Sequence, residues 1–378
     1  MKFRLVLFLH IFLFIALTIF SYGFVDANFP LKTSGFLYDL VHQRRLLATI
    51  IYTAFIFCLF GLYGCVLQQV KRKKLNVKQI WWLIFMAAGI LLFSFPAFSN
   101  DIFNYMATAK ITFFYKENPY LVMPIEFLSE PMLEFMHAAN KIALYAPLWI
   151  ILTAVPHFLG LGNIVLTVFT FKAFVVAFYL VCAWLIWRVS GKNLYSFTFF
   201  TLNPLVVIET LVSGHNDVVM MAFALLALYL LFQKRKYLSL ISLFASIGIK
   251  YATIVLTPLF IFSSKFKKEK LITLSCWALF FVFLLSPLRE EIYSWYLIWV
   301  IALVALVTED RLLYWLTVSF SFGLLFRFAP FLYTRSWGGA TPLIKTWATV
   351  IPPTIMVVIF FLKVLMCKKK LWLKKFSH

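Results

Sequence analysis

Long apolar runs separated by short basic or polar breaks set the pattern of this chain. A helix needs about 18–20 apolar residues to cross a bilayer, and several runs reach that length. The pattern predicts about twelve spans, at 5–24, 46–67, 79–98, 163–187, 194–212, 217–233, 238–249, 252–264, 271–287, 293–307, 312–331 and 346–366. Lipid offers no water to satisfy open backbone, so a polytopic helical bundle is the architecture this pattern allows. The expected fold is all-α, one integral membrane domain over residues 1–378.

Polar positions follow the same alternation. Counting spans from a cytoplasmic N-terminus puts KRKK at 71–74, QKRK at 233–236, KFKKEK at 265–270 and KKKLWLKK at 368–375 inside, the positive-inside arrangement. Asp26, Asp39, Asp101, Glu117, Glu126, Glu130, Glu134, Asp217, Glu290 and Glu291 fall outside. The carboxylates played no part in placing the spans, so their asymmetry is separate information. It points to chemistry on the periplasmic or extracellular face, with both termini cytoplasmic.

Composition then closes off other classes. The chain is 63% hydrophobic and 13% charged, with a mean hydropathy of +0.93, which no ordinary soluble domain shows. A net charge of +21 suggests nucleic acid only until its placement in inter-span runs is seen, so no nucleic-acid partner is expected. Cys58, Cys65, Cys182, Cys276 and Cys367 sit in or beside spans and imply no disulfide framework. The opening MKFRLVLFLHIFLFIALTIF resembles a signal peptide, with VDA at 25–27 as a cleavage site, but its length favours an uncleaved first helix.

Residues 99–160 are the largest outside segment. Within it Phe127, Leu128, Met132, Leu133, Phe135 and Met136 alternate with Glu126, Glu130, Glu134 and Lys141, which predicts a helix in the interface plane over 125–141. The seventh and eighth spans are short and flank Lys250, which suggests two helices that dip around a cavity.

Chemistry-bearing residues concentrate at the outside breaks. Asp101 follows the third span, and a helical continuation puts Asn104 and Tyr105 on its face beside Asn100. A half-shielded carboxylate there is expected to have raised proton affinity and to serve as a base, though it serves equally as a helix-end cap. Asn118-Pro119-Tyr120 reads as a turn. In TLNPLVVIETLVSGHNDVVMM, His215, Asn216 and Asp217 share a tight outside turn, while Glu209 lies a turn or two deeper. An acid at such depth costs about 2.5–3.5 kcal/mol and needs a partner or a wet cavity. The spacing matches no metal motif, so a divalent metal is not favoured. Lys250, beside Tyr251, wants an anion such as phosphate or else snorkels to headgroups. Arg289, Arg335 and Lys345 are further outside cations, and Trp295-Tyr296 opens a span where an aromatic belt is expected. Lys172 and Arg327 fall inside spans without a visible partner.

Taken in order, these pieces resemble the bacterial polyprenol-phosphomannose-dependent mannosyltransferase-like branch of the GT-C glycosyltransferases. FSNDIFNYMATAKITFFYKENPY is similar to that branch's S-x-D-x-x-x-Y…N-P-Y loop, and Tyr145-Ala146-Pro147-Leu148-Trp149 to its Tyr-Gly-Pro-Leu stretch. LNPLVVIETLVSGHNDVVMM, IKYATIVLTPLF and SWYLIW resemble its later blocks. Ala146 and Ala252 depart from the pattern at positions that shape backbone. The resemblance covers about residues 80–305 and implies a hexose, by default mannose, moved from a polyprenyl-phosphate donor to a glycan or lipid acceptor. It implies Asp101 as catalytic base. Asn100, Asn104, Tyr105, Asn118, Tyr120, Tyr145, Glu209, His215, Asn216, Asp217, Trp295 and Tyr296 would hold substrate, with Lys250, Tyr251 and Arg289 at the donor phosphate. Branch members often pair acids in the first outer loop, whereas this chain has Asn100-Asp101, which disfavours a two-carboxylate metal site. A lipid-linked sugar flippase or transporter is the competing class, and a non-catalytic assembly partner a third. Transporters usually carry an internal repeat and a midplane site, and neither is visible in the sequence.

Overall fold

The computed structural model describes residues 2–136, 138–288 and 291–375, with side chains through residue 366. The described residues form helices and connecting turns without strands. In order these are α1 (Phe3–Ser21), α2 (Gly35–His42), α3 (Arg45–Lys71), α4 (Val77–Leu92), α5 (Asp101–Phe113), α6 (Pro147–Leu152), α7 (Ala154–Leu159), α8 (Ile164–Val189) and α9 (Leu194–Thr201). There follow α10 (Pro204–Val206), α11 (Asp217–Phe232), α12 (Lys236–Ile249), α13 (Thr257–Ile261), α14 (Lys268–Leu285), α15 (Leu297–Val304), α16 (Arg311–Phe326), α17 (Phe328–Thr334) and α18 (Thr341–Lys375).

Six helical stretches are long and apolar enough to cross a membrane, and the pair Leu194–Thr201 and Pro204–Val212, bent by 46°, would make a seventh. Large apolar side chains such as Phe8, Phe57, Phe281 and Ile355 are exposed on their flanks, as lipid-facing residues are. The chain is thus a membrane protein. The other five expected spans map to shorter apolar helices, Val77–Leu92, Asp217–Phe232, Lys236–Ile249, Tyr251–Ile261 and Ser294–Val304. By length alone, then, the expected twelve crossings are not reached. The shortening has local causes. Asn203 precedes Pro204, which cannot continue a helix, and Asn203 Oδ1 caps the new one by accepting from Leu205 N–H at 3.0 Å. At Lys250 the backbone turns extended (φ −155°, ψ 130°), and Tyr251–Leu256 continues as a 3₁₀ turn.

Residues 125–141 correct a second expectation. Among the described residues they form no interfacial helix; Pro124–Glu126 and Pro131–Phe135 are two separate 3₁₀ turns. Pro131 withdraws a backbone donor in mid-segment, and the period-like spacing of its apolar residues serves short turns packed on α5 instead. Glu130 pins this roof by accepting from Lys110 Nζ at 2.7 Å and from the Tyr115 hydroxyl.

α11 and α15 form the centre, with α15 buried along its whole length. α8, α12 and α15 pack on α11. Charge separates by end. The C-termini of α3, α8 and α11 carry Lys73, Lys192 and Lys234 in left-handed conformation, and Lys268 of α14 donates to the Val189 carbonyl at 2.9 Å. Cations at helix C-termini also face favourable dipoles. The opposite end of α11 begins at Asp217, beside the residues singled out for chemistry.

Lys172, unexplained in sequence, is a clamp. Its fully buried ammonium donates to Leu91 O at 2.8 Å, to Ser94 Oγ at 2.7 Å and to Ser94 O, closing the C-terminus of α4 just before Asp101. Lys172→Met leaves these buried acceptors without their donor. It is expected to lower stability by about 1–3 kcal/mol, read as thermal unfolding in detergent; an unchanged midpoint would show that the clamp is not needed.

Candidate active site

Asp101 opens α5. Its N–H donates to Ser99 Oγ at 3.2 Å, and the helix then places Asn104 and Tyr105 on the same face, both buried. Asn100 stands at the N-cap position. The carboxylate keeps 27% of its side chain exposed.

The second contribution is a widened turn. Val207–Val212 is wound as π-helix, a form that concentrates at functional sites. Ser213 N–H reaches Ile208 O at 2.9 Å and His215 N–H reaches Glu209 O at 3.0 Å. Gly214 permits the reversal with φ +76°; a Cβ there would lie 3.3 Å from Ile102 Cδ1, so helix α5 also crowds the position. His215 is thereby inserted between two acids. Its Nδ1 lies 3.5 Å from Asp101 Oδ2 and its Nε2 lies 3.2 Å from Glu209 Oε2. Neither contact has the alignment of a well-formed hydrogen bond, so charge holds the ring more than directionality does. Trp295 covers one face of the imidazole at 4.0 Å and 20°, and Ser294 Oγ donates to Glu209.

Burial works against a charged His215, but Asp101 and Glu209 outweigh it and lift its pKa to about 9. For Asp101, burial pushes upward, while His215, then Lys250 and Asn104, pull harder, and the net shift is downward. The expected raised proton affinity is therefore corrected: tertiary partners absent from its local sequence keep this carboxylate ionised.

A third group stands beside these. Fully buried Asp217 accepts from Lys250 Nζ at 2.9 Å and 3.0 Å through its two oxygens, and from Trp299 Nε1. The ammonium lies 5.0 Å from the Tyr296 ring centroid and 5.8 Å from that of Trp299. Lys250 is thus already matched by a carboxylate. Asn216 Oδ1 accepts from the Tyr105 hydroxyl at 3.3 Å, tying the histidine turn to α5. Tyr105 meets the Tyr145 and Trp149 rings edge-on at 4.9 Å and 5.0 Å.

Asp101, Asn104, Tyr105, Tyr145, Glu209, His215, Asn216, Asp217, Lys250, Trp295 and Tyr296 thus converge from distant parts of the chain. Tyr120 supports them from behind, donating to the Tyr145 carbonyl at 2.8 Å. Asn118 is exposed and serves its own turn, accepting from Tyr120 N–H at 3.0 Å. Tyr251 turns outward, 61% exposed. Arg289 lies outside the described residues. Ser294 and Trp299 were missed in the sequence; their neighbours in SWYLIW drew attention as belt aromatics, while their own hydrogen-bonding partners lie more than eighty residues away.

Among the described residues no three of His, Cys, Asp and Glu gather as a metal site. Asp101, His215 and Glu209 stand in a row, each imidazole nitrogen within 3.5 Å of one carboxylate. The arrangement can hold one partly open carboxylate ionised and in fixed orientation.

The fold is an all-helical membrane bundle with charged side chains gathered at one end, and comparison with known families says more. The family model described as alpha-(1->6)-mannopyranosyltransferase, N-terminal domain, of the MptA_B family, matches residues 9–264. That is more than half of the chain, and the chain belongs to this family. Membership supports mannosyl transfer as the activity, with a sugar donor and a glycan acceptor. No curated protein and no solved structure matches it.

Removing one partner of a buried ion pair strands the other. Lys250→Met is therefore expected to cost about 3–5 kcal/mol, and Asp217→Asn in the same chain to restore much of it. Thermal unfolding of the single and double variants checks this; a double variant no more stable than Lys250→Met would contradict the pairing.

Proposed function

We propose that the protein transfers mannose from a polyprenyl-phosphate donor to an acceptor hydroxyl on the non-cytoplasmic face, with Asp101 as general base and with inversion at the anomeric carbon. The observation that carries this reading is the Asp101 carboxylate, partly open and kept ionised by His215 with Glu209 behind it.

The acceptor oxygen attacks the anomeric carbon and its proton passes to Asp101. The bond from that carbon to the phosphate oxygen breaks, and the electron pair leaves with polyprenyl phosphate. Inversion reverses the configuration, so an α-linked product, as the family description would suggest, requires a β-linked donor. Charge on the leaving phosphate grows in the transition state, and preorganised donors facing it lower the barrier. Asn104 and Asn216 each carry a buried polar side-chain atom without a hydrogen-bond partner, Oδ1 and Nδ2, suited to sugar hydroxyls. Trp295 offers a flat apolar wall beside His215. The roof from 124 to 145 limits water, which would otherwise compete with the acceptor.

The topology fits the same reading. The Lys- and Arg-rich end becomes the cytoplasmic side by the positive-inside rule, which puts Asp101 outside and lets the shorter apolar helices complete twelve crossings. A hydrocarbon donor tail stays in the lipid that the exposed apolar flanks already face.

Purified protein in detergent with polyprenyl-phosphate mannose and a mannosyl acceptor is expected to form a mannoside. Asp101→Asn should lower turnover by about 10²–10⁴-fold with an unchanged unfolding midpoint. Near-normal turnover by that variant removes Asp101 from the role. Movement of the lipid-linked sugar across a bilayer without any glycoside formed would favour the flippase reading.

A further inference from the structure

A second charged cluster lies beyond the residues that the family model matches, and the reaction above does not use it. Arg327 stands between α16 and α17, Lys345 lies in the first turns of α18, and Glu291 precedes α15. Arg327 Nη2 is 2.6 Å and Lys345 Nζ 2.9 Å from the same oxygen, Glu291 Oε2. Lys345 also reaches Oε1 at 3.2 Å, and Arg327 Nη1 donates to Thr349 Oγ1 at 3.2 Å. The two cationic side chains are only 11% and 10% exposed, while the glutamate is 39% exposed. Among the described residues this is the one carboxylate paired with either cation, so two poorly solvated cations share one anion there. A guanidinium and an ammonium that grip one oxygen suit the several oxygens of a phosphate ester better than a single carboxylate.

The surroundings add to this. Arg335 donates to His42 Nδ1 at 2.7 Å and keeps a buried Nη1 without a hydrogen-bond partner, and Arg45 donates to the Thr334 carbonyl at 3.4 Å. Trp337 stacks on Phe331 at 4.1 Å and lies 4.7 Å below the Lys345 ammonium, which fixes that cation in place. The outward side of the same part of α18 carries exposed Leu343, Ile344 and Trp347, a surface for hydrocarbon. The cluster is also joined to the active site. Two residues after Glu291, Tyr293 stacks on Trp295 at 4.5 Å, and Trp295 stacks on His215.

We infer that Arg327 and Lys345 form a binding site for a lipid-borne phosphate ester, and that Glu291 is the internal anion occupying it when no phosphate is bound. The assignment deepens the proposed transferase reading and rests on it for the choice of polyprenyl phosphate as first ligand. It gives the donor phosphate two cations that share one partly exposed carboxylate, whereas Lys250 is held one-to-one by fully buried Asp217. Entry of the phosphate exchanges one anion for another, and the displaced Glu291 carboxylate, already 39% exposed, is left to solvent.

Binding of sugar-free polyprenyl phosphate to the full chain in detergent tests this without turnover. Arg327→Gln and Lys345→Gln should each weaken binding by about tenfold or more, and Glu291→Gln should strengthen it several-fold. Uncharged polyprenol should bind all four proteins alike. A merely structural ion pair predicts instead that Glu291→Gln leaves binding unchanged or weakens it, and either result overturns the site, as does unaltered binding by both cation variants. Phosphatidylglycerol that competes with the same dependence on the variants identifies a headgroup as an alternative source of the phosphate; failure to compete leaves polyprenyl phosphate. Protein that binds in this pattern yet never forms a mannoside sinks the transferase reading and keeps the site, whereas active protein lacking the pattern sinks the site alone.

Discussion

The structure depends on a single histidine placed between two carboxylates. Without a cation there, burial would push the Asp101 carboxyl toward its protonated form with nothing to offset it. With His215 charged, Asp101 stays ionised and the ring is held between the two acids. Several otherwise unconnected features serve that placement. The π-wound turn widens the helix, Gly214 reverses the chain, Trp295 covers the ring, and Lys172 closes α4 so that α5 can start at Asp101. The acids come from segments more than a hundred residues apart, so their approach is a property of the fold rather than of any motif.

The same rule, that charge in a low-dielectric place must find its opposite, organises the rest of that end. Asp217 has Lys250, and Glu291 has Arg327 and Lys345. The first pair closes on itself. The second is unequal, and inequality of that kind is what a site for an anionic ligand requires. At the other end, lysines at helix C-termini meet dipoles and carbonyls and carry no comparable chemistry.

Much of this was legible in the chain. Apolar run length gave the long helices nearly residue for residue, because lipid imposes a length that soluble cores do not. Asp101, Asn104 and Tyr105 share a face because helical periodicity dictates it, and Lys250 marked a break, whereas the expected span 194–212 ran straight through the bend at Pro204. What failed was non-local. Asp101 reads as a carboxylate of raised proton affinity until His215, 114 positions on, stands 3.5 Å away. Lys172 and Arg327 look stranded because their acceptors lie 81 and 36 positions back. The segment 125–141 has helical-looking spacing, yet Pro131 and a packed roof make short turns of it. No sequence pattern announces a π-turn.

The most direct test of this account is the charge state of His215. In protein labelled with ¹⁵N at histidine and assigned through His215→Gln, both ring nitrogens of His215 should carry protons at pH 7.5 and lose one only near pH 9. Asp101→Asn should move that loss to lower pH. A neutral ring at pH 7.5 in the unaltered protein, with a single protonated nitrogen, would contradict the account.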